Sequence, residues 1–220
     1  MLLFAAGNRP SCRCAVQELA RMGVPICDHV SPEITHLLLD IPSRKDTGEL
    51  LTMLPEKITI IGGNLDHMST YKCLDLLKDE AFLAQNAAIT ADCAIKVARE
   101  HTCKAWFDTK VTILGWGRIG KPLAQMLKAL GADVTVLTRK NKDKAILSAL
   151  GYGTAETTAD VVFNTVPAPV NCGGKLKIDL ASVQGLTGEN VIWARGLPGT
   201  HAPRTTGKCI AQRICKEVHL

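Results

Sequence analysis

Residues 111–120 read Val-Thr-Ile-Leu-Gly-Trp-Gly-Arg-Ile-Gly, and this run limits the possible folds more than any other. An apolar strand passes straight into Gly115-x-Gly117-x-x-Gly120, and a helical pattern starts at once. Gly115 permits the tight turn, Gly117 lets a pyrophosphate approach the backbone, and Gly120 lets helix and strand pack closely. The helix N-terminus offers N–H groups and a positive dipole end to phosphate. A second strand, Asp133–Leu137, follows at βαβ distance. The run predicts a dinucleotide-binding elbow, with Gly115, Trp116, Gly117, Arg118, Ile119 and Gly120 around the diphosphate.

The end of the second strand bears on which dinucleotide. NAD-binding folds place Asp or Glu about 20 residues after the glycines, where it holds the ribose 2′-hydroxyl. Here the chain reads Thr138-Arg139-Lys140-Asn141-Lys142, with no carboxylate and three cations. A 2′-phosphate would meet Thr138 as a hydroxyl donor and Arg139 as a planar charged fork, with Lys140 beside them. The pattern predicts NADP in preference to NAD.

With 220 residues the chain can form one large domain or two small ones. It is 46% hydrophobic and 21% charged, the balance of an ordinary globular protein. The net charge of +5 comes without a long basic run or a basic–aromatic stripe. That argues against nucleic acid and suits an anionic cofactor and substrate. Nine cysteines, an odd number with no Cys-x-x-Cys pair, predict reduced thiols in a cytoplasmic protein. No metal is expected, because Cys12-x-Cys14 lacks a second ligand pair and no His-Glu-x-x-His occurs. His29, His36, His67, His101 and His219 are scattered and read as structural or exposed. Met1–Ala6 is one strand long, has no basic residue, and is too short for a signal peptide or a membrane span.

Two α/β units are legible. In the first, strands are expected at 2–6, 24–27, 36–39 and 58–61, helices at 10–22 and 69–77, and a loop over 42–50. A helix over 86–101 leads to the second, with strands at 111–114, 134–137, 161–164, 178–180 and 191–194 and a last helix at 205–218. Strands separated by helical patterns predict a doubly wound parallel sheet of the Rossmann type, with a smaller flavodoxin-like α/β domain at the N-terminus. The expected division is a substrate-side domain over 1–85, an interdomain helix over 86–108, an NADP-binding domain over 109–203, and a C-terminal helix over 204–220 packing back across the domains.

Ligands of such sheets bind beyond the carboxyl ends of the strands. There the sequence places Asn164-Thr165-Val166-Pro167-Ala168-Pro169, then Asp179 followed by Leu180-Ala181-Ser182, then Arg195-Gly196-Leu197-Pro198-Gly199-Thr200-His201. Gly and Pro fix the loops, while Asn, Thr and Ser offer neutral hydrogen bonds. Thr165, Val166, Pro167, Ala181 and Ser182 are therefore cofactor candidates.

Five segments resemble the A-subunit family of bacterial dipicolinate synthases and fall in that family's order. They are Glu80–Asp92, Leu114–Gly120, Asn164–Ala168, Asp179–Ser182 and Gly196–Gly207. The resemblance runs from about residue 55 to the end; before that the chain reads as a shortened version of the family. Two departures stand out. Ser182 is followed by Val-Gln-Gly rather than an Arg/Pro-Gly-Gly turn, and Arg195 stands where the family tends to a small or apolar residue. The resemblance implies a fold akin to D-2-hydroxyacid dehydrogenases. It also implies NADP-dependent oxidation of a dihydrodipicolinate-type dicarboxylate to dipicolinate in endospore formation, with association into a homo-oligomer and a flavoprotein-like partner as the second subunit.

Oxidation to an aromatic ring requires loss of a proton as well as a hydride, so a general base is expected. His201 is the candidate, although the family's pattern does not require histidine there. Arg195 and Arg204 are expected to clamp a dicarboxylate, with Asn86, Thr90 and Ser182 as hydrogen-bonding partners. Two other readings stay open at this stage: a related dehydrogenase acting on another small acid, and a nucleotide-binding subunit without catalysis.

Overall fold

The computed structural model describes residues 1–43 and 48–218. The chain forms two compact units, residues 1–86 together with 198–220, and residues 87–197. Residues 44–47, inside the expected 42–50 loop, and His219 lie outside the described residues.

The first unit contains β1 (Leu3–Ala5), α1 (Pro10–Arg21), β2 (Ile26–Cys27), β3 (His36–Leu38), α2 (Gly48–Thr52), β4 (Thr59–Gly62) and β5 (Lys72–Asp75). The end of the expected 42–50 loop is thus helical. All five strands run parallel in the order β2-β1-β3-β4-β5. In α1, Pro10 supplies the preset φ of a first helical turn, and Cys12, Ala15 and Leu19 recur on the buried face. Leu3, Leu37, Ile60 and Ile61 fill the sheet core without solvent contact.

The helix expected over 69–77 is instead strand β5 followed by a 3₁₀ turn at Leu76–Lys78. Four residues are too few to display a period, and the free edge of β4 decides the matter by pairing Thr59 with Lys72 through Gly62 with Asp75. The Asp75 carboxylate then ends the strand, accepting the N–H groups of Leu65 at 2.9 Å and Leu77 at 2.9 Å.

Helix α3 (Glu80–Glu100) begins six residues before the expected start at 86. Asp79 caps it by accepting the N–H of Phe82 at 2.7 Å. The second unit continues with β6 (Lys110–Leu114), α4 (Gly120–Ala129), β7 (Asp133–Leu137), α5 (Asn141–Ala149), β8 (Ala159–Asn164), β9 (Gly174–Asp179) and β10 (Val191–Trp193). Its strands are also parallel, ordered β10-β9-β8-β6-β7. Their apolar runs fit strands of a doubly wound sheet, with Val111, Ile113, Val136, Val162 and Phe163 at 0–1% exposure.

Read from its own first strand, each sheet has the same order, 2-1-3-4-5, which is the flavodoxin-like arrangement. In such an order the direction of winding reverses between strands one and three. That places the ligand crevice of the second unit outside the carboxyl ends of β6 and β8. The chain returns through α6 (Leu197–His201) and α7 (Pro203–Glu217), and α7 packs on α1 within the first unit. The two helices approach closely at Gly207, where a β-carbon would lie 2.7 Å from the Ala15 nitrogen. No described helix is long and apolar enough to cross a membrane.

Candidate dinucleotide site

The three glycines after β6 differ in what surrounds them. Gly115 has φ +103°, and its N–H donates to the Leu137 carbonyl at 2.9 Å. A β-carbon on Gly115 would stand 2.5 Å from Thr165 Oγ1. One on Gly120 would strike the Gly115 carbonyl, so the α4 N-terminus rests directly on the turn. Around Gly117 nothing among the described residues, apart from its own chain neighbours, lies within 4 Å of that position, which leaves an open shelf. Ile119, the N-cap of α4, contributes no side-chain cap. An open backbone shelf at the start of a ten-residue helix has the shape and polarity a diphosphate requires. Arg118 is exposed at its rim. Trp116 turns toward Tyr152, with ring centroids 5.8 Å apart, and Lys121 Nζ lies 6.0 Å from the indole centroid.

At the end of β7, Thr138 Oγ1 accepts the N–H of Lys140 at 3.4 Å. Arg139 and Lys140 are exposed immediately before α5. At the end of β8, Thr165 Oγ1 donates to the Leu114 carbonyl at 2.8 Å, and Val166 and Pro167 follow it toward solvent. Ala181 is buried and Ser182 exposed after β9. The second unit therefore brings the predicted cofactor residues to one sheet edge, in strand order from β7 to β9.

The predicted substrate residues are divided between the units. Ser182 and Arg195 belong to the second, and Arg195 is exposed with its guanidinium carbon 5.5 Å from the Trp193 ring centroid. Thr90, nearly buried, also belongs to the second unit, and Asn86 lies one helical turn earlier on α3, on the first unit's side of the division. His201 ends α6 half-buried, and Arg204 is exposed in the first turn of α7, both in the first unit.

Sequence reasoning assigned no role to two fully buried polar side chains, Asn164 and Asp179. The Asp179 carboxylate accepts four N–H groups and links the loops after β8 and β9. The available signal was a carboxylate between Ile178 and Leu180 at the end of an expected strand, a position tolerated in a buried sheet only when fully hydrogen-bonded.

The corresponding corner of the first unit is built differently. Asp40, 8% exposed, accepts the N–H of Arg9 at 2.9 Å at the head of α1. Its Oδ1 lies 2.9 Å from where a β-carbon on Gly7 would be. Burial, and then the Asp40 charge, push the Cys12 thiol up to about 12. A protein carboxylate thus stands where a ligand anion would have to sit. Two depressions in the second unit have linings that include none of the three elbow glycines. One of about 450 Å³ is lined by Thr112, Leu137 and Cys172, and one of about 600 Å³ by Asp160, Lys175 and Ile192. The shelf is open, as befits a ligand lying across strand ends. Among the described residues Cys27, Asp28 and His29 bring three potential metal-ligand atoms together. Local bonds account for them, since the thiol donates to the His29 carbonyl and the carboxylate bonds the His29 ring.

Residues 67–174 match the family described as the NAD binding domain of D-isomer specific 2-hydroxyacid dehydrogenases. The chain is 28% identical over 177 residues to the A-subunit of dipicolinate synthase from Bacillus subtilis, covering 70% of this chain and 60% of that protein. In fold it is similar to the A-subunit of the Bacillus halodurans dipicolinate synthase, with TM-score 0.79, 22% identity, and coverage of 100% of this chain and 98% of that one. The Bacillus subtilis structure of the same protein matches with TM-score 0.77, 21% identity, and coverage of 99% and 95%. The family resemblance carried by the motifs thus holds, and the region similar to a nicotinamide-dinucleotide-binding domain includes α4 and strands β6 to β8.

Proposed function

We propose that this chain is an NADP-preferring oxidoreductase subunit of the dipicolinate-synthase kind, oxidising a dihydrodipicolinate-type cyclic dicarboxylate. The observation that carries the reading is the open shelf at Gly117, set between the positive-φ turn of Gly115 and the α4 N-terminus, at the winding reversal of a parallel sheet.

The residues present fit the cofactor. Gly115–Gly120 would hold the diphosphate through backbone N–H groups, with Arg118 as countercharge. Thr138, Arg139 and Lys140 would hold the 2′-phosphate, since the segment offers two cations and a hydroxyl but no carboxylate to grip the ribose hydroxyls. Thr165, Val166, Pro167, Ala181 and Ser182 would lie along the nicotinamide half. When bound, the cofactor supplies hydride acceptance. For the substrate, Arg195 and Arg204 are assigned the two carboxylates, and Asn86, Thr90 and Ser182 the neutral hydrogen bonds. His201 is assigned the proton. A flavoprotein-like partner, association into a homo-oligomer, a cytoplasmic site of action and a role in spore formation follow the same resemblance.

The Val-Gln-Gly turn after Ser182, in place of an Arg/Pro-Gly-Gly turn, supports a second reading, a related dehydrogenase acting on another small acid. Substrate-dependent reduction of NADP, measured with and without a flavoprotein partner, tests both. Turnover of a dihydrodipicolinate-type acid, faster with NADP than with NAD, is expected. Turnover of other small acids alone selects the second reading. Firm dinucleotide binding without turnover of any acid reduces the chain to a nucleotide-binding subunit.

A further inference from the structure

A carboxylate at the end of a buried strand is expensive, and an apolar side chain there would generally serve stability as well. Asp179 is nonetheless fully buried. Its Oδ1 accepts Asn164 Nδ2 at 3.0 Å and the Ala181 N–H at 3.0 Å, and its Oδ2 accepts the N–H groups of Gly185 and Leu186 at 2.7 Å each. Asn164 carries the network to the neighbouring loop. Its Oδ1 accepts the Val166 N–H at 2.9 Å, and its Nδ2 donates to the Val166 carbonyl at 3.0 Å. Gly185 seals the junction. A β-carbon on it would lie 2.9 Å from Asn164 Nδ2 and 3.1 Å from the Val166 carbonyl, and its own carbonyl accepts the Val170 N–H at 3.0 Å. An apolar residue at 179 could fill the space but could not fix three loop amides and the Asn164 amide at once.

The strand order shows what lies above. From β7 through β6 and β8 to β9 are three steps of about 4.8 Å, or about 14 Å in all, a span that a ligand lying extended across the strand ends would have to bridge. With the 2′-phosphate at the end of β7 and the diphosphate at the end of β6, the remaining half falls over the loops after β8 and β9. We propose that Asn164 and Asp179 are a positioning pair, which sets those two loops in the geometry that receives the nicotinamide half. The proposal rests on the dinucleotide reading above. Neither side chain touches the ligand; both act through the backbone of residues 165–168 and 181–186.

The pair is tested by titrating NADPH and, separately, adenosine 2′,5′-bisphosphate, which carries only the adenine-side phosphates. Wild type, Asp179→Asn and Asn164→Ser are compared. In each variant the affinity for NADPH is expected to fall about tenfold or more, while that for the bisphosphate stays within about twofold. Equal losses for both ligands in a folded variant would show that the pair merely holds the unit together. No loss for either would remove any role, and both results overturn the proposal. If Asp179→Asn does not fold, Asn164→Ser, which keeps three of the four donors to Asp179, decides alone. A wild-type chain that binds neither ligand refutes the dinucleotide reading itself, and the pair's role with it.

Discussion

The hydroxyl of Thr165 stands 2.5 Å from the place a β-carbon on Gly115 would occupy, while donating to the Leu114 carbonyl at 2.8 Å. The turn after β6 and the loop after β8 are thereby locked across the winding reversal of the sheet. Gly115 also holds φ +103°, a region that L side chains rarely adopt. Gly115→Ala should therefore suffer both strain and collision, costing about 2–4 kcal/mol of stability. Chemical denaturation of the variant checks the magnitude, and unchanged stability would contradict the locked arrangement.

Gly117 gives the opposite expectation. Nothing among the described residues, apart from its own chain neighbours, lies within 4 Å of its β-carbon position, and its φ is not positive. Gly117→Val should leave stability within about 0.5 kcal/mol. It should weaken dinucleotide binding by about a hundredfold, because the isopropyl group would stand where phosphate approaches. Melting temperature and calorimetric titration of the same preparation separate the two effects.

Arg139→Ala addresses cofactor choice. The side chain is exposed, so its removal should not unfold the unit. NADP binding should weaken by about 1–3 kcal/mol for the lost charge-assisted hydrogen bonds, with NAD binding little changed. Equal losses for both cofactors would remove Arg139 from the 2′-phosphate.

How much of this was legible beforehand differs from element to element, for physical reasons. The elbow at 115–120 was readable because each glycine answers a separate steric demand, and all three demands are local. Strands β6, β7 and β8 announced themselves as apolar runs between turn residues. Strand β5 did not, because Lys72–Asp75 is short and half-exposed, and it becomes a strand only by pairing with β4. The start of α3 was obscured in a similar way: Ala-rich periodicity further on drew the boundary inward, past the first turn that Asp79 caps. Asn164 and Asp179 were visible as strand-end residues, yet their bond to one another spans two loops and belongs to tertiary structure.

Asp160 carries a pH dependence whose sign can be worked out. The N–H of Lys110 at 3.2 Å, then the ammonium groups of Lys175 at 3.0 Å and Lys104 at 3.1 Å, hold its carboxyl down at about 2. An unfolded aspartate titrates near about 3.9. The stabilisation is therefore complete above about pH 4 and is lost as pH falls toward about 2. Both lysines are substantially exposed, so the contribution should be only about 1 kcal/mol. Denaturation of wild type and Asp160→Asn should differ at neutral pH and converge near pH 2; a gap that persists in acid would refute the assignment.

In the first unit, Asp79 serves two elements at once. One oxygen caps α3 through the Phe82 N–H at 2.7 Å, and the other pairs with Arg213 of α7, which also bonds Glu217. Burial works to raise the Asp79 carboxyl, but the Phe82 N–H and the Arg213 guanidinium outweigh it and hold the group below the usual range. Removing either partner should therefore not be equivalent. Asp79→Ala loses the cap and leaves the Arg213 side chain, 12% exposed, with Glu217 alone, so it should cost about 2–4 kcal/mol. Arg213→Met keeps the cap, replaces a largely buried cation by an apolar chain of similar length, and should cost less than about 1.5 kcal/mol. The buried Arg213 Nε, which finds no partner among the described residues, favours the same asymmetry, because methionine removes that unmet donor. Equilibrium denaturation of the two variants side by side measures the difference. Equal losses would mean that the ion pair, rather than the cap, anchors the start of α3.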